Sequence, residues 1–203
     1  NTHGAELVSL KSNETDREYM WCGDAEYWGR VSPVLFPFVG KLEKQTYRHD
    51  GVTYEGIPQH GFARDSEFVV AEQTEDTVWF ELVKDEKWQK NYPFDFTRRI
   101  GYRLEGTGVH VMWTVVNTGA GKLHFSIGAH PAFACDGGVN GYSLDMHTSK
   151  SEVECGLLTE RGVLGSRTVI HSLTDGVLKL TDEMFDEDAL IIDGKGINNV
   201  TLK

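Results

Sequence analysis

Two short stretches hold the residues best suited to chemistry. The first is Gln59-His60-Gly61-Phe62-Ala63-Arg64, which sets an imidazole beside a glycine and a guanidinium four residues further on. Glycine lets the backbone take unusual dihedrals and lets a ligand come close. Arginine adds a planar fork of donors. The second is Gly128-Ala129-His130-Pro131-Ala132-Phe133, whose histidine comes seventy residues after His60 and is held between small residues and a rigid one, with an aromatic ring nearby. An imidazole titrates near neutral pH, so either ring can give or take a proton under working conditions. The chain has eight histidines; His3, His49, His110, His124, His147 and His171 read as surface or satisfied side chains, which leaves His60 and His130 as the catalytic candidates.

Lys41 and Arg64 are the candidate cationic donors. A lone cation usually marks a solvated face, but Arg64 follows an apolar Phe-Ala pair beside His60. Five tryptophans and ten phenylalanines make a sugar-stacking surface possible, although aromatic rings in all-β folds are mostly core. Phe133 and Trp28 are the two exceptions to watch. Metal binding is disfavoured: no His-x-His or His-x-x-x-His spacing occurs and the carboxylates are scattered, so no ligand set of the zinc type forms in sequence. There is no phosphate-cradling glycine loop, no Gly-x-Ser-x-Gly elbow and no context for a nucleophilic cysteine.

The elements that must position these groups are strands. Ala5–Leu10 alternates and pairs in expectation with Glu18–Trp21. Pro33–Leu42 is apolar, but its two prolines predict an extended segment over the core rather than a regular central strand. Gln45–His49 and Val52–Glu55 flank Asp50-Gly51, a pair suited to the positive φ angles of a type I′ hairpin turn. Strands are expected at 67–73 and 77–84, a helical turn within 85–91, then strands at 94–104 and from Val109 through Val115. After a turn at 117–121, Leu123, Phe125 and Ile127 should face the core, and His124, Ser126 and His130 the opposite side. Further strands are expected at 142–147, 163–170, 177–180, 189–192 and 200–202, and a short helix within 181–188. The reading is a single domain over residues 1–203, an all-β antiparallel sandwich.

The formal net charge is −11, which disfavours nucleic acid and anionic membrane as partners and argues mildly against a phosphorylated ligand. No apolar run is long enough to span a bilayer, and no signal peptide is visible. Cys22, Cys135 and Cys155 show no paired spacing and fit a reducing, cytoplasmic setting. Asn1 is not a start methionine and Asn199–Lys203 reads as a strand cut short, so truncation is expected at both ends.

Taken in order, Pro33-Val34-Leu35-Phe36-Pro37-Phe38-Val39-Gly40-Lys41-Leu42, Gln59-His60-Gly61-Phe62-Ala63-Arg64 with Glu67-Phe68, Tyr92-Pro93-Phe94, and Gly128-Ala129-His130-Pro131-Ala132-Phe133 resemble the aldose 1-epimerases, most closely the bacterial galactose-mutarotase-like branch. Phe185–Ile192 resembles a later segment of the family. The resemblance implies a large antiparallel sandwich, the mutarotase-like supersandwich, with a monosaccharide in an open cleft. It implies interconversion of the α and β anomers of a free hexose such as galactose or glucose, without a cofactor. On this resemblance His130 is the general acid and His60 the second histidine that binds the sugar. Lys41 stands where an arginine often binds sugar hydroxyls, and Arg64, Phe133 and Asp188 are further substrate contacts. The family's general base is a glutamate beside a Pro-Trp pair; no Glu-Pro-Trp occurs in these residues, so weak turnover is expected of them alone. A non-catalytic sugar-binding protein of the same fold and a hexose-6-phosphate mutarotase are the alternatives. The preferred aldose and the oligomeric state stay open.

Overall fold

The computed structural model describes all residues from Asn1 to Lys203. The chain forms two compact units, Asn1–Phe133 and Ala134–Lys203. Strands dominate both and every sheet is antiparallel.

In the first unit the strands are β1 (Val34–Leu35), β2 (Thr46–His49), β3 (Val52–Glu55), β4 (Phe68–Gln73), β5 (Thr77–Leu82), β6 (Phe96–Glu105), β7 (Gly108–Asn117) and β8 (Gly128–Ala129), with one helical turn, α1 (Glu86–Gln89), between β5 and β6. Strands β4-β5-β6-β7 form one sheet in sequence order. β2 and β3 close the hairpin expected around Asp50-Gly51, where both turn residues have positive φ, 48° and 80°. Asp85 caps α1 by accepting a bond from the Lys87 amide at 3.0 Å, a side-chain substitute for an unsatisfied end group.

Side chains alternate along a strand, so β6 turns Phe96, Arg98, Ile100 and Tyr102 inward, onto a core built around Phe36, Phe62, Phe68 and Tyr92. Arg98 is fully buried there. None of its guanidinium nitrogens meets a protein acceptor; instead the group lies over the rings of Phe36, Trp113 and Phe68, at 4.9, 5.5 and 5.8 Å.

The proline-rich segment is extended, as its sequence predicts, and it is buried from Pro33 to Pro37, whereas Val39 and Lys41 are exposed. Only Val34 and Leu35 join a ladder, opposite Ala129 and Gly128. The expected return strand over 123–130 shrinks to these two residues. Continuing the register would bring Ser126 opposite Pro37. Ser126 does donate its amide to the Pro37 carbonyl at 2.8 Å, but proline has no N–H to return, and the ladder ends. Leu123 packs against the core, whereas Phe125 and Ile127 are exposed. The expected N-terminal strand over Ala5–Leu10 does not form; its neighbourhood holds only isolated bridges, Lys11 with Glu18 and His3 with Glu67.

The second unit holds β9 (Ser143–Asp145), β10 (Glu152–Leu158), β11 (Leu164–Ser172), β12 (Val177–Lys179), β13 (Ile191–Ile192) and β14 (Thr201–Leu202) in two three-stranded sheets, β11-β10-β13 and β12-β9-β14. Its core gathers Met146, Val153, Cys155, Leu173, Leu178 and Leu180. β10 is absent from the sequence reading, although Val153, Cys155 and Leu157 alternate and all three are buried.

Candidate active site

His60 is placed by a strained loop. Its φ is +65° and that of Gly61 is +74°, both left-handed values that cost a side-chain-bearing residue about 1–2 kcal/mol. The loop closes against the proline-rich segment: Phe36 N–H donates to the His60 carbonyl at 3.2 Å, and Ala63 N–H to the Phe36 carbonyl at 3.2 Å. Only glycine fits at position 61, since a Cβ would stand 2.1 Å from the Phe36 oxygen. This close approach is the physical reason for the His-Gly pair.

Gly40 grips His60 twice. The His60 amide donates to the Gly40 carbonyl at 2.8 Å, and the Gly40 amide donates to His60 Nδ1 at 3.0 Å. A ring nitrogen that accepts a bond carries no proton, so neutral His60 is protonated on Nε2 and presents that N–H as a donor. Burial first, then the charges of Arg64, His130 and Arg30, push its pKa down to about 4. His60 is therefore a neutral donor at pH 7 with a fixed tautomer.

His130 follows β8, and its amide donates to the Pro33 carbonyl at 3.2 Å. Its ring meets the His60 ring edge to face, with centroids 5.4 Å apart. The ring of Trp28 flanks it at 5.0 Å, and the Trp28 carbonyl is held by the Trp21 indole N–H at 2.9 Å. His130 is exposed and His60 half-buried. The two histidines the sequence singled out thus share one surface, next to one of the two aromatic residues it flagged.

Arg64 is in a short 3-10 turn, Ala63–Asp65. Burial, then Arg30, lowers its pKa, against the opposing pull of Asp65. Arg30, which the sequence reading passed over, completes the cluster. Its Nη2 donates to Asp65 Oδ1 at 2.7 Å, and Arg64 Nε lies 3.7 Å from Asp65 Oδ2. One carboxylate between two guanidiniums leaves one positive charge in excess beside His60. The strand-less segment carrying Arg30 is pinned by Glu6, whose Oε1 accepts from the amides of Val31 and Ser32 at 2.6 and 2.7 Å. No motif marks Arg30; its only signal is its position three residues before Pro33.

The other expected contacts stand as follows. Lys41 is exposed and directly follows Gly40, the residue that orients His60. Phe133 is 49% exposed, three residues beyond His130, and its backbone bridges to Met20. Asp188 belongs to the second unit, where it has φ +75° and donates its amide to the Phe185 carbonyl at 3.0 Å.

Comparison identifies the class to which this β-rich fold belongs. The sequence profile described as aldose 1-epimerase matches residues 1–188, and the chain belongs to that family, whose members act on sugars. It is 33% identical over its whole length to the chromosomal protein LacX of Lactococcus lactis subsp. lactis, 71% of which it covers. Among solved structures it is similar to the galactose mutarotase related enzyme of Lactobacillus acidophilus, at 37% identity and a TM-score of 0.90, covering all of this chain and 68% of that one. A galactose mutarotase-like protein of Lactobacillus casei matches at 30% identity and a TM-score of 0.90, over 70% of its length. The fold is that of the galactose mutarotase-like proteins.

Proposed function

We propose that the chain takes part in interconverting the α and β anomers of a free hexose, with His130 as general acid and His60 as the group that orients the ring oxygen. The single observation that supports this is the pairing of the two imidazoles at 5.4 Å beside Trp28. In the proposed reaction a base takes the proton from the C1 hydroxyl and His130 gives a proton to the ring oxygen. The C1–O5 bond breaks as the C1=O bond forms. Rotation about C1–C2 presents the other face of the aldehyde, and closure returns both protons. Only protons move between enzyme and sugar, so no cofactor takes part.

Neutral His60, with its proton on Nε2, suits a hydrogen bond to a sugar oxygen and leaves acid duty to His130. Lys41, Arg64, Phe133 and Asp188 are the proposed sugar contacts. The base is not assigned to any residue here, because no Glu-Pro-Trp triplet occurs. The three cysteines are unpaired, which suits a cytoplasmic setting, and no helix is long and apolar enough to cross a membrane.

The test is titration of D-galactose and D-glucose against the full chain, followed by the imidazole ring signals in NMR. Saturable movement of the His60 and His130 ring signals and of the neighbouring Trp28 indole signal is expected, and the Trp28 response should be lost in a His60→Gln, His130→Gln variant. Unsaturable drift in both proteins would remove the site. A second reading, a hexose 6-phosphate as ligand, is favoured by one observation: the excess positive charge of Arg30 and Arg64 beside His60. Glucose 6-phosphate binding at least about tenfold tighter than glucose, with that preference lost in Arg30→Met, would decide for it.

A further inference from the structure

A second histidine pair lies in the first unit, and nothing in the proposed reaction uses it. The rings of His49, at the end of β2, and His124 stand 5.4 Å apart at 58°, the same centroid separation as between His60 and His130. Each pair has an aromatic neighbour: Phe94 lies 4.9 Å from His49, as Trp28 lies 5.0 Å from His130. The His49–His124 pair lines an open cavity of about 340 Å³, whose walls include Asp50, Phe94, Asn117 and Lys122 and neither His60 nor His130.

We infer that this cavity is a second carbohydrate site, one that receives the face of a single neutral pyranose. Its walls are set in advance. The Tyr92 hydroxyl donates to the His124 carbonyl at 2.7 Å. Asn117 clamps the 117–121 turn, donating from Nδ2 to the Gly121 carbonyl at 2.7 Å and accepting from the Gly119 amide at 3.0 Å. The tight Asp50-Gly51 turn fixes His49 opposite Val52. The site therefore offers the half-buried Phe94 ring beside a sugar's C–H face and the imidazoles of His49 and His124 for its hydroxyls. Pockets of a few hundred Å³ hold small ligands.

Other ligand classes fit less well. A metal ion lacks a third side chain, since no three His, Cys, Asp or Glu groups converge anywhere in the chain. An anion would face Asp50 and Asp95 with Lys122 as the one wall cation. An amine finds Asp95 beside Lys84 at 3.3 Å and Asp50 turned almost wholly to solvent, where a single carboxylate holds a cation weakly. A neutral polyol needs no free charge and matches the mixture of ring and hydrogen-bonding groups.

The test is a titration of the full chain with D-galactose and with methyl β-D-galactopyranoside, whose blocked C1 cannot anomerise, read at the four ring signals. Saturable movement of the His49 and His124 signals is expected in the wild type and, unchanged, in a His60→Gln, His130→Gln variant. That separates this inference from the fate of the proposed reaction. A His49→Gln, His124→Gln variant, read at the Phe94 ring signals, should weaken binding at this site about tenfold or more and leave the His60 and His130 response intact. The inference is overturned if the His49 and His124 signals stay still, if they drift without saturating, or if methylammonium or inorganic phosphate at equal concentration moves them further than the sugars do. The wild-type titration decides by itself should either variant fail to fold.

Discussion

Acidification is the most informative perturbation of His60. Its pKa falls from 6.5 to about 4 in the folded chain, so the unfolded chain takes up a proton on this ring at a pH where the folded chain does not. Above 6.5 both states are neutral and the ring contributes nothing to pH dependence. Between 6.5 and 4 the unfolded state is favoured progressively, and below 4 the loss is complete. Each tenfold change in proton affinity corresponds to about 1.4 kcal/mol, which sets a ceiling of about 3 kcal/mol. The ring is only half-buried, so exposure to solvent discounts both the desolvation and the charged neighbours, by up to roughly half, leaving about 1.5–3 kcal/mol. Urea unfolding of the wild type and of His60→Gln at pH 7 and pH 4 measures it. The wild type should lose about 1.5–3 kcal/mol more than the variant over that interval, and the His60 ring signal should titrate well below 6.5. A midpoint at or above 6.5 would show that the ring is charged in mildly acidic solution, and the assignment of His60 as a fixed neutral donor would fall with it.

Arg64→Met removes the positive charge that weighs most on His60, second only to burial as a cause of its depressed pKa; the His60 midpoint should rise toward 6.5, and a midpoint that stays put would mean that burial alone sets it. Gly61→Ala forces a Cβ to within 2.1 Å of the Phe36 carbonyl at a φ of +74° and should cost about 3 kcal/mol or more by urea unfolding. Gly40→Ala has a similar φ, +81°, but open space around it, and should cost only about 1–2 kcal/mol. Burial lowers the Arg98 pKa from 12.5 to about 10, which costs about 3 kcal/mol in the charged form, while three aromatic neighbours return about 1 kcal/mol each. Arg98→Met should therefore change unfolding free energy by less than about 1 kcal/mol, whereas Arg98→Ala, which leaves a cavity, should lose about 3 kcal/mol.

The strands that the sequence announces clearly are those whose pattern is local. The β2–β3 hairpin follows from Asp50-Gly51, and β5, β6 and β7 from long alternation that one sheet can satisfy without help from distant residues. The return segment near His130 carries the same alternation but forms only β8, because its would-be partner is the proline-rich segment. That failure lies in Pro37, not in 123–130, and no reading of a strand by itself could detect it. β10 errs the other way: Val153, Cys155 and Leu157 alternate over buried positions, yet Gly156 and the flanking glutamates dilute the apolar signal. The sequence aims His130 correctly toward solvent, although the long strand invoked to aim it is absent.

The site shows a similar division between what spacing carries and what only packing reveals. His60 and His130 are legible because each is embedded in small or rigid residues whose role is geometric; Gly61 is needed for a close approach to Phe36. Arg30 has no such frame, and it matters only because Glu6 and Asp65 bring it to Arg64. Net charge misleads here in a defined way. A total of −11 is a sum over the whole surface, but screening confines a charge's influence to about 8 Å at physiological ionic strength. Burial is the first cause of the depressed His60 pKa, and Arg64, His130 and Arg30 push it the same way. An acidic chain can therefore present a locally positive site, and what that site prefers to bind depends on two guanidiniums and one carboxylate rather than on the balance of the composition.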